Sequence, residues 1–190
     1  IEEIFLGHVI SAGCGQAPVS QAIQLAGLPT SIPGTSVNKV CASGMKAVSL
    51  AASLIKSGQA NCILAGGMES MSGVPYALPT QLRRPNVGLR FGNAQLTDLL
   101  SHDGLIDAKS HLPMGEAAER IAEKFDISRA EMDEYSRSSF TRAIEREFEA
   151  EKQIISVTSS DGGGLVIKDD GPKTFKPDRM SSLRTPFRPE

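Results

Sequence analysis

Three short apolar runs, separated by stretches of helical spacing that end in glycine, fill residues 1–67 and dictate an alternating strand–helix order. Ile4-Phe5-Leu6-Gly7-His8-Val9-Ile10 is too short for a core helix and ends near Gly13 and Gly15, as a buried strand does. From Pro18 to Ala26, Val19, Ala22, Ile23, Leu25 and Ala26 keep helical spacing, and Gly27 and Pro29 stop the element. Ser36–Val40 reads as a second strand, Cys41–Ser57 as a helix ended by Gly58, and Asn61–Ala65 as a third, buried strand running into Gly66-Gly67. Strands and helices in strict alternation imply an α/β layered fold.

The remainder changes character. Residues 1–75 are poor in charge, whereas 110–152 are rich in it and strongly helical. Between 72 and 112, Pro75, Pro79, Pro85, Gly88 and Gly92 break any long element, leaving at most a short helix at Gln95–Ser101. Helical spacing resumes at Met114 with Ala117, Ala118, Ile121, Ala122 and Phe125. Ser128 with Glu131 forms a capping box for a long helix through Glu149, with Met132, Tyr135, Phe140, Ala143, Ile144 and Phe148 as its apolar stripe. Ile154–Thr158 and Leu165–Lys168 flank Asp161-Gly162-Gly163-Gly164 as a hairpin. Hydrophobic residues at 40% and charged residues at 22% exclude wholesale disorder, collagen and coiled coil. A balance of 20 basic against 22 acidic residues gives no electrostatic case for nucleic acid. No window approaches the ~20 apolar residues of a membrane span. Three widely spaced cysteines fit neither a disulfide framework nor a zinc site, and no metal is expected. Ile1 opens directly into an apolar run, as an internal piece of a larger, intracellular protein would.

The segment from Val37 to Val48 is the most informative. Its helix carries only Lys46 and Lys56 as charges, so it is expected to be buried nearly all round, with Cys41 in its first turn. A helix N-terminus favours thiolate over thiol and offers N–H groups to a developing oxyanion. Gly44 within that helix points to a close approach by other backbone. The plainer alternative is that Cys41 is a small buried residue. Cys62, among apolar residues, is expected in the core, and Cys14 lies in a glycine-rich turn.

Asn38-Lys39-Val40-Cys41-Ala42-Ser43-Gly44-Met45-Lys46-Ala47 resembles the acyl-accepting cysteine motif of the thiolases, and Ala65-Gly66-Gly67-Met68-Glu69-Ser70-Met71-Ser72 resembles the motif that follows it. Gly15-Gln16-Ala17-Pro18, Ala26-Gly27-Leu28-Pro29, Asp103-Gly104-Leu105 and Met114-Gly115 are also similar to family segments, so the resemblance covers nearly the whole chain. It implies a thiolase-like layered fold: residues 1–72 as part of the N-terminal α/β domain with the nucleophile, and 73–190 as an α-rich loop domain that contributes to CoA binding.

The resemblance further implies an acyltransferase whose cysteine, Cys41, takes an acyl group from one thioester before a second acetyl-CoA condenses with it. Acetyl-CoA, acetoacetyl-CoA or other 3-ketoacyl-CoA would be substrates, no cofactor is implied, and a homodimer or homotetramer is expected. Leu105 and Met114 match positions lining the pantetheine channel, and Phe187 matches an aromatic residue beside the CoA adenine. Relatives acting on acetoacetyl-CoA carry His directly before the Met-Gly pair; here that position is Pro113, with His111 two residues earlier as the substitute candidate. Pro-Met-Gly leans toward the degradative 3-ketoacyl-CoA thiolases, while the Cys41 motif leans toward acetyl-CoA acetyltransferases, which rank first. The family's Gly-His-Pro, Asn-Glu-Ala and C-terminal Cys-x-Gly-Gly motifs do not occur among these 190 residues, whose only histidines are His8, His102 and His111. A non-catalytic thiolase-fold subunit is therefore the alternative from another class. A redox role for Cys41 is weak without a resolving cysteine nearby. Cytoplasm, mitochondrion and peroxisome are all compatible compartments.

Overall fold

The computed structural model describes residues 1–78, 93–159 and 162–188. Pro79, Pro85, Gly88, Gly92 and Asp161, named above as breaks and loop residues, lie outside the described residues. Two compact units are present, Ile1–Met114 and Gly115–Glu190. The described residues 73–78 and 93–114, grouped by resemblance with the second segment, fall within the first of these units.

In the first unit, β1 (Glu3–Gly7), β2 (Gly34–Val37) and β3 (Ile63–Gly67) form a parallel sheet in the order β2-β1-β3. Phe5 stands opposite Thr35 on one side and Ala65 on the other. The strands are connected by α1 (Pro18–Leu25) and α2 (Ser43–Lys56). Alternation along β1 explains the continuous apolar run. Ile4 and Leu6 cluster with Val19 and Ile23 of α1, whereas Phe5 clusters with Ala47 and Ala51 of α2. Both faces of the central strand are covered, so both need apolar residues. Gly27 and Gly58 stop the two helices in left-handed conformations, at φ of 67° and 72°.

Helix α2 departs from expectation. Its buried residues are Ser43, Ala47 and Ala51, one stripe at four-residue spacing, while Met45 is 78% and Val48 54% exposed. The helix is apolar nearly all round, yet among the described residues full burial is confined to the stripe facing the sheet, with Leu50 and Leu54 partly buried beside it. Cys62 is likewise exposed rather than buried, because β3 begins one residue after it.

The stretch from Tyr76 onward adds a minimal antiparallel pair, β4 (Tyr76–Ala77) with β5 (Thr97–Asp98). A π-helical turn at Ser101–Leu105 replaces the short helix expected at Gln95–Ser101. Asp98 shapes this turn by accepting from the Leu100 amide at 3.0 Å and the Ser101 hydroxyl at 2.6 Å.

The second unit contains α3, which starts at the boundary (Met114–Phe125), α4 (Arg129–Glu145) and α5 (Glu147–Glu151). The Ser128–Glu131 capping box forms as read from sequence. The helix expected to continue through Glu149 instead breaks at Arg146, and Lys168 pairs with both Glu147 and Glu151 of the separate α5. Phe140 stacks on Phe175 with ring centroids 4.7 Å apart, but Tyr135 is 73% exposed and Phe148 also lies outside. The hairpin is present with a short ladder, β6 (Val157–Thr158) against β7 (Leu165–Val166).

Candidate active site

The C-terminal ends of parallel strands and the N-terminus of the following helix are where an α/β layer concentrates binding groups. Here the ends of β1 and β3 meet the start of α2 through three glycines. A Cβ on Gly7 would sit 2.5 Å from the Gly44 nitrogen and 2.6 Å from the Ser43 carbonyl carbon. One on Gly67 would sit 3.3 Å from the Gly7 oxygen. The close backbone approach inferred from Gly44 is real, but the residue without room for a side chain is Gly7; at Gly44 the nearest atom would be 3.9 Å away.

Cys41 lies one residue before Ala42, the N-cap of α2, so it precedes the first turn rather than occupying it. It is exposed among the described residues. The turn carrying it is strained: Val40 has φ of 49°, a region a β-branched residue adopts at a cost of order 1–3 kcal/mol. Side chains hold it there. Asn38 Oδ1 accepts from the Val40 amide at 3.0 Å. The Ser43 hydroxyl donates to the Val40 carbonyl at 2.6 Å and accepts from the Lys39 amide at 2.8 Å. No acidic residue occupies the first turn of α2, so its positive end is not neutralised by its own side chains.

A cavity of about 380 Å3 opens beside Cys41, within the size range of small-molecule sites. Gly7, Gly44 and Gly67 line it together with Val40 and Cys41. Met68 and Met71 from the loop after β3, and Leu100, Gly104 and Leu105 from the π turn, supply apolar wall. Glu69 is its one acidic lining residue among those described. Its carboxylate accepts from the Val9 amide at 2.8 Å and the Ile10 amide at 3.3 Å. Behind it, His8 is buried, with Nε2 3.6 Å from Glu69 Oε1, too long for a hydrogen bond. His8 Nδ1 has no partner among the described residues.

Of the residues singled out from sequence, the structure brings Cys41 and Leu105 to this cavity. Its lining among the described residues includes neither His111 nor Met114. His111 is exposed at φ of 57°, its amide donating to the Asp107 carbonyl at 2.8 Å. Met114 is partly exposed at the first position of α3. Phe187 belongs to the second unit, where its ring covers Gly115 so closely that a Cβ there would overlap it. Sequence reasoning passed over Leu100 and gave Asn38 and Glu69 no role, although both lie in the quoted motifs. Their partners are 29 and 60 residues distant, a separation that no local pattern reveals.

The thiolase N-terminal domain model matches residues 1–190. The chain is 44% identical to an acetyl-CoA acetyltransferase of Schizosaccharomyces pombe, covering 99% of this chain and 48% of that protein. It is 43% identical to acetyl-CoA acetyltransferase 2 of Arabidopsis thaliana, covering 99% and 47%. It is 40% identical to the mitochondrial acetyl-CoA acetyltransferase of Mus musculus, covering 100% and 45%. The Acat5 thiolase of Ascaris suum, solved in complex with coenzyme A, superposes with a TM-score of 0.84 at 32% identity, over 100% of this chain and 48% of that one. The chain thus spans about half the length of the curated relatives it matches.

Proposed function

The chain belongs to the thiolase family through its N-terminal domain, and on that premise we propose that it supplies the nucleophile of an acetyl-CoA C-acetyltransferase. The observation that carries this is Cys41: an exposed thiol on a strained turn, before a helix N-terminus, beside a cavity floored by glycine backbone.

In the proposed reaction the Cys41 sulfur attacks the thioester carbonyl of acetyl-CoA. The carbonyl oxygen takes the negative charge, and CoA leaves as a thiol that carries the proton given up by Cys41. Backbone N–H groups at the Cys41 turn suit the developing oxyanion. A second acetyl-CoA then loses an α-proton to a base, its carbon attacks the acetyl-cysteine, and the Cys41–carbon bond breaks to release acetoacetyl-CoA. The reverse direction is thiolysis. None of His8, His102 or His111 stands in a Gly-His-Pro context, so the carbon base and second oxyanion hole fall to a C-terminal half like that of the longer relatives. These 190 residues alone are accordingly expected to be inactive. The coenzyme A held by the Ascaris relative supports CoA thioesters as substrates. The mitochondrial relatives support an intracellular setting. Assembly as a homodimer or homotetramer belongs to the same reading.

The test is acylation of Cys41. The full-length protein mixed with acetyl-CoA should carry an acetyl group on the Cys41 peptide by mass spectrometry, and Cys41→Ser should lower turnover at least about a thousandfold. Acetylation on Cys14 or Cys62 instead would sink the proposal. A protein that binds acetyl-CoA without acylation at any cysteine would favour a non-catalytic thiolase-fold subunit.

A further inference from the structure

The Cys41 turn holds a conformation its own residues disfavour, and the groups that maintain it form a chain across three loops. Val40 sits at φ of 49°, which a β-branched side chain resists. Asn38 Oδ1 accepts the Val40 amide proton at 3.0 Å, while Asn38 Nδ2 donates to the Val9 carbonyl at 3.1 Å. The other side of the same residue is held by Glu69, whose carboxylate accepts from the Val9 amide at 2.8 Å and the Ile10 amide at 3.3 Å. Val9 is therefore gripped from both ends, by the nucleophile turn through its carbonyl and by the loop after β3 through its amide. Asn38 and Glu69 are both exposed residues, so shortening either leaves no void in the core. Val9, Ile10, Val40, Cys41 and Glu69 all line the one cavity, so slack in the chain moves the thiol relative to the pocket wall.

We propose that Asn38 and Glu69 are positioning residues that, through Val9, hold the Cys41 turn in its left-handed geometry against the acyl pocket. This rests on Cys41 being the nucleophile. It adds that the nucleophile's placement depends on two polar side chains, one of them 28 residues beyond it in sequence. Glycine adopts positive φ without strain. A brace that works by holding Val40 must therefore matter less once Val40 is glycine.

The experiment is a double-mutant cycle on the full-length protein. It reads single-turnover acetylation of Cys41 by acetyl-CoA and, separately, alkylation of Cys41 by iodoacetamide, both followed on the Cys41 peptide. Asn38→Ala is expected to slow acetylation at least tenfold with half-saturation by acetyl-CoA changed less than about threefold, because the thiol and not the CoA site is displaced. In a Val40→Gly background the same substitution is expected to cost less than threefold. Glu69→Ala should slow acetylation about tenfold, and Glu69→Gln, which keeps one acceptor oxygen for the two amides, should recover part of the loss. Equal losses from Asn38→Ala in both backgrounds, or full activity in Glu69→Ala, would overturn the proposal. If Asn38→Ala does not accumulate as folded protein, Asn38→Asp keeps the acceptor for Val40 and removes the donor to Val9. A threefold or greater slowing then supports the Val9 link, and none overturns it. Absence of acetylation in the unsubstituted protein would instead refute the proposed function, and the iodoacetamide series would still report on the turn.

Discussion

Gly7 and Gly44 separate two meanings that a glycine has in sequence. At Gly7 an added methyl would meet backbone atoms of the first turn of α2 at 2.5 and 2.6 Å, and backbone cannot rotate away as a side chain can. Gly7→Ala is therefore expected to lower stability by about 1–3 kcal/mol, the usual range for overpacking, seen as a lower denaturation midpoint at unchanged m-value. Gly44→Ala meets only the Gly66 oxygen at 3.9 Å and is expected to be neutral or stabilising by less than about 1 kcal/mol. If the two variants ranked in the opposite order, the assignment of the close approach to Gly7 would be wrong. Substrate range turns on another single position. By the resemblance, Pro113 matches a position where short-substrate relatives are expected to carry His, and His111 lies outside the cavity lining among the described residues. Without that polar wall, measurable thiolysis of medium-chain 3-ketoacyl-CoA is expected from the full-length enzyme. A strict preference for acetoacetyl-CoA that disappears in His111→Ala would instead put His111 in the pocket.

Among the elements, those fixed by neighbours in sequence were legible and those fixed by distant partners were not. The Ser128–Glu131 box needs only residues three apart, and it formed as read. The stops at Gly27 and Gly58 are equally local. The end of α4 was not legible: the helix breaks where Arg146 leaves the helical region, at φ of -106° and ψ of 13°, and the separate α5 then pairs Glu147 and Glu151 with Lys168, far along the chain. The same division runs through the candidate site: the motif singles out Cys41 in the sequence and the structure places it at the cavity, whereas the hydrogen bonds of Asn38 and Glu69 to Val9 span 29 and 60 residues and leave no local pattern. The cap also sets a pH response. The Ser128 amide, and then its hydroxyl, donate to Glu131 and hold its carboxyl below the usual carboxylate range. A carboxyl lowered in the folded state stabilises above its unfolded pKa and loses that contribution as pH falls through the lowered value. Asp98 and Asp107 are lowered in the same direction by their serine partners, so wild-type acid sensitivity sums several groups. Comparison with Glu131→Gln isolates the cap. The variant should be less stable near neutral pH, and the gap should close as pH drops below the ordinary carboxylate range of about 4. A gap that stays constant down to acid pH would mean that Glu131 contributes no charge-dependent capping.

At the scale of the molecule, the informative feature is a helix finished on one side only. The inner stripe of α2 packs on the sheet through Ala47 and Ala51, and its outer side presents Met45, Val48 and Ile55 to solvent, at 78%, 54% and 43% exposure. Such a face on α2 is a candidate for cover by another surface, since each Å2 of apolar surface buried is worth roughly 25 cal/mol. The curated relatives are about twice as long as this chain, and in the proposed reading their additional half covers that face and brings the carbon base. Residues 1–190 expressed alone are therefore expected to aggregate or to bind a hydrophobic dye strongly, and any soluble part to show no condensation or thiolysis. The full-length protein should bind the dye weakly. Met45→Lys together with Ile55→Lys should cut dye binding by the isolated chain at least twofold, because they interrupt the exposed apolar stripe on either side of Val48 while leaving Ala47 and Ala51 on the sheet. A monodisperse 20.2 kDa species that binds no dye would show that α2 needs no cover. Thiolase turnover by that species would further show that His8, His102 or His111 serves as the base here assigned to the other half.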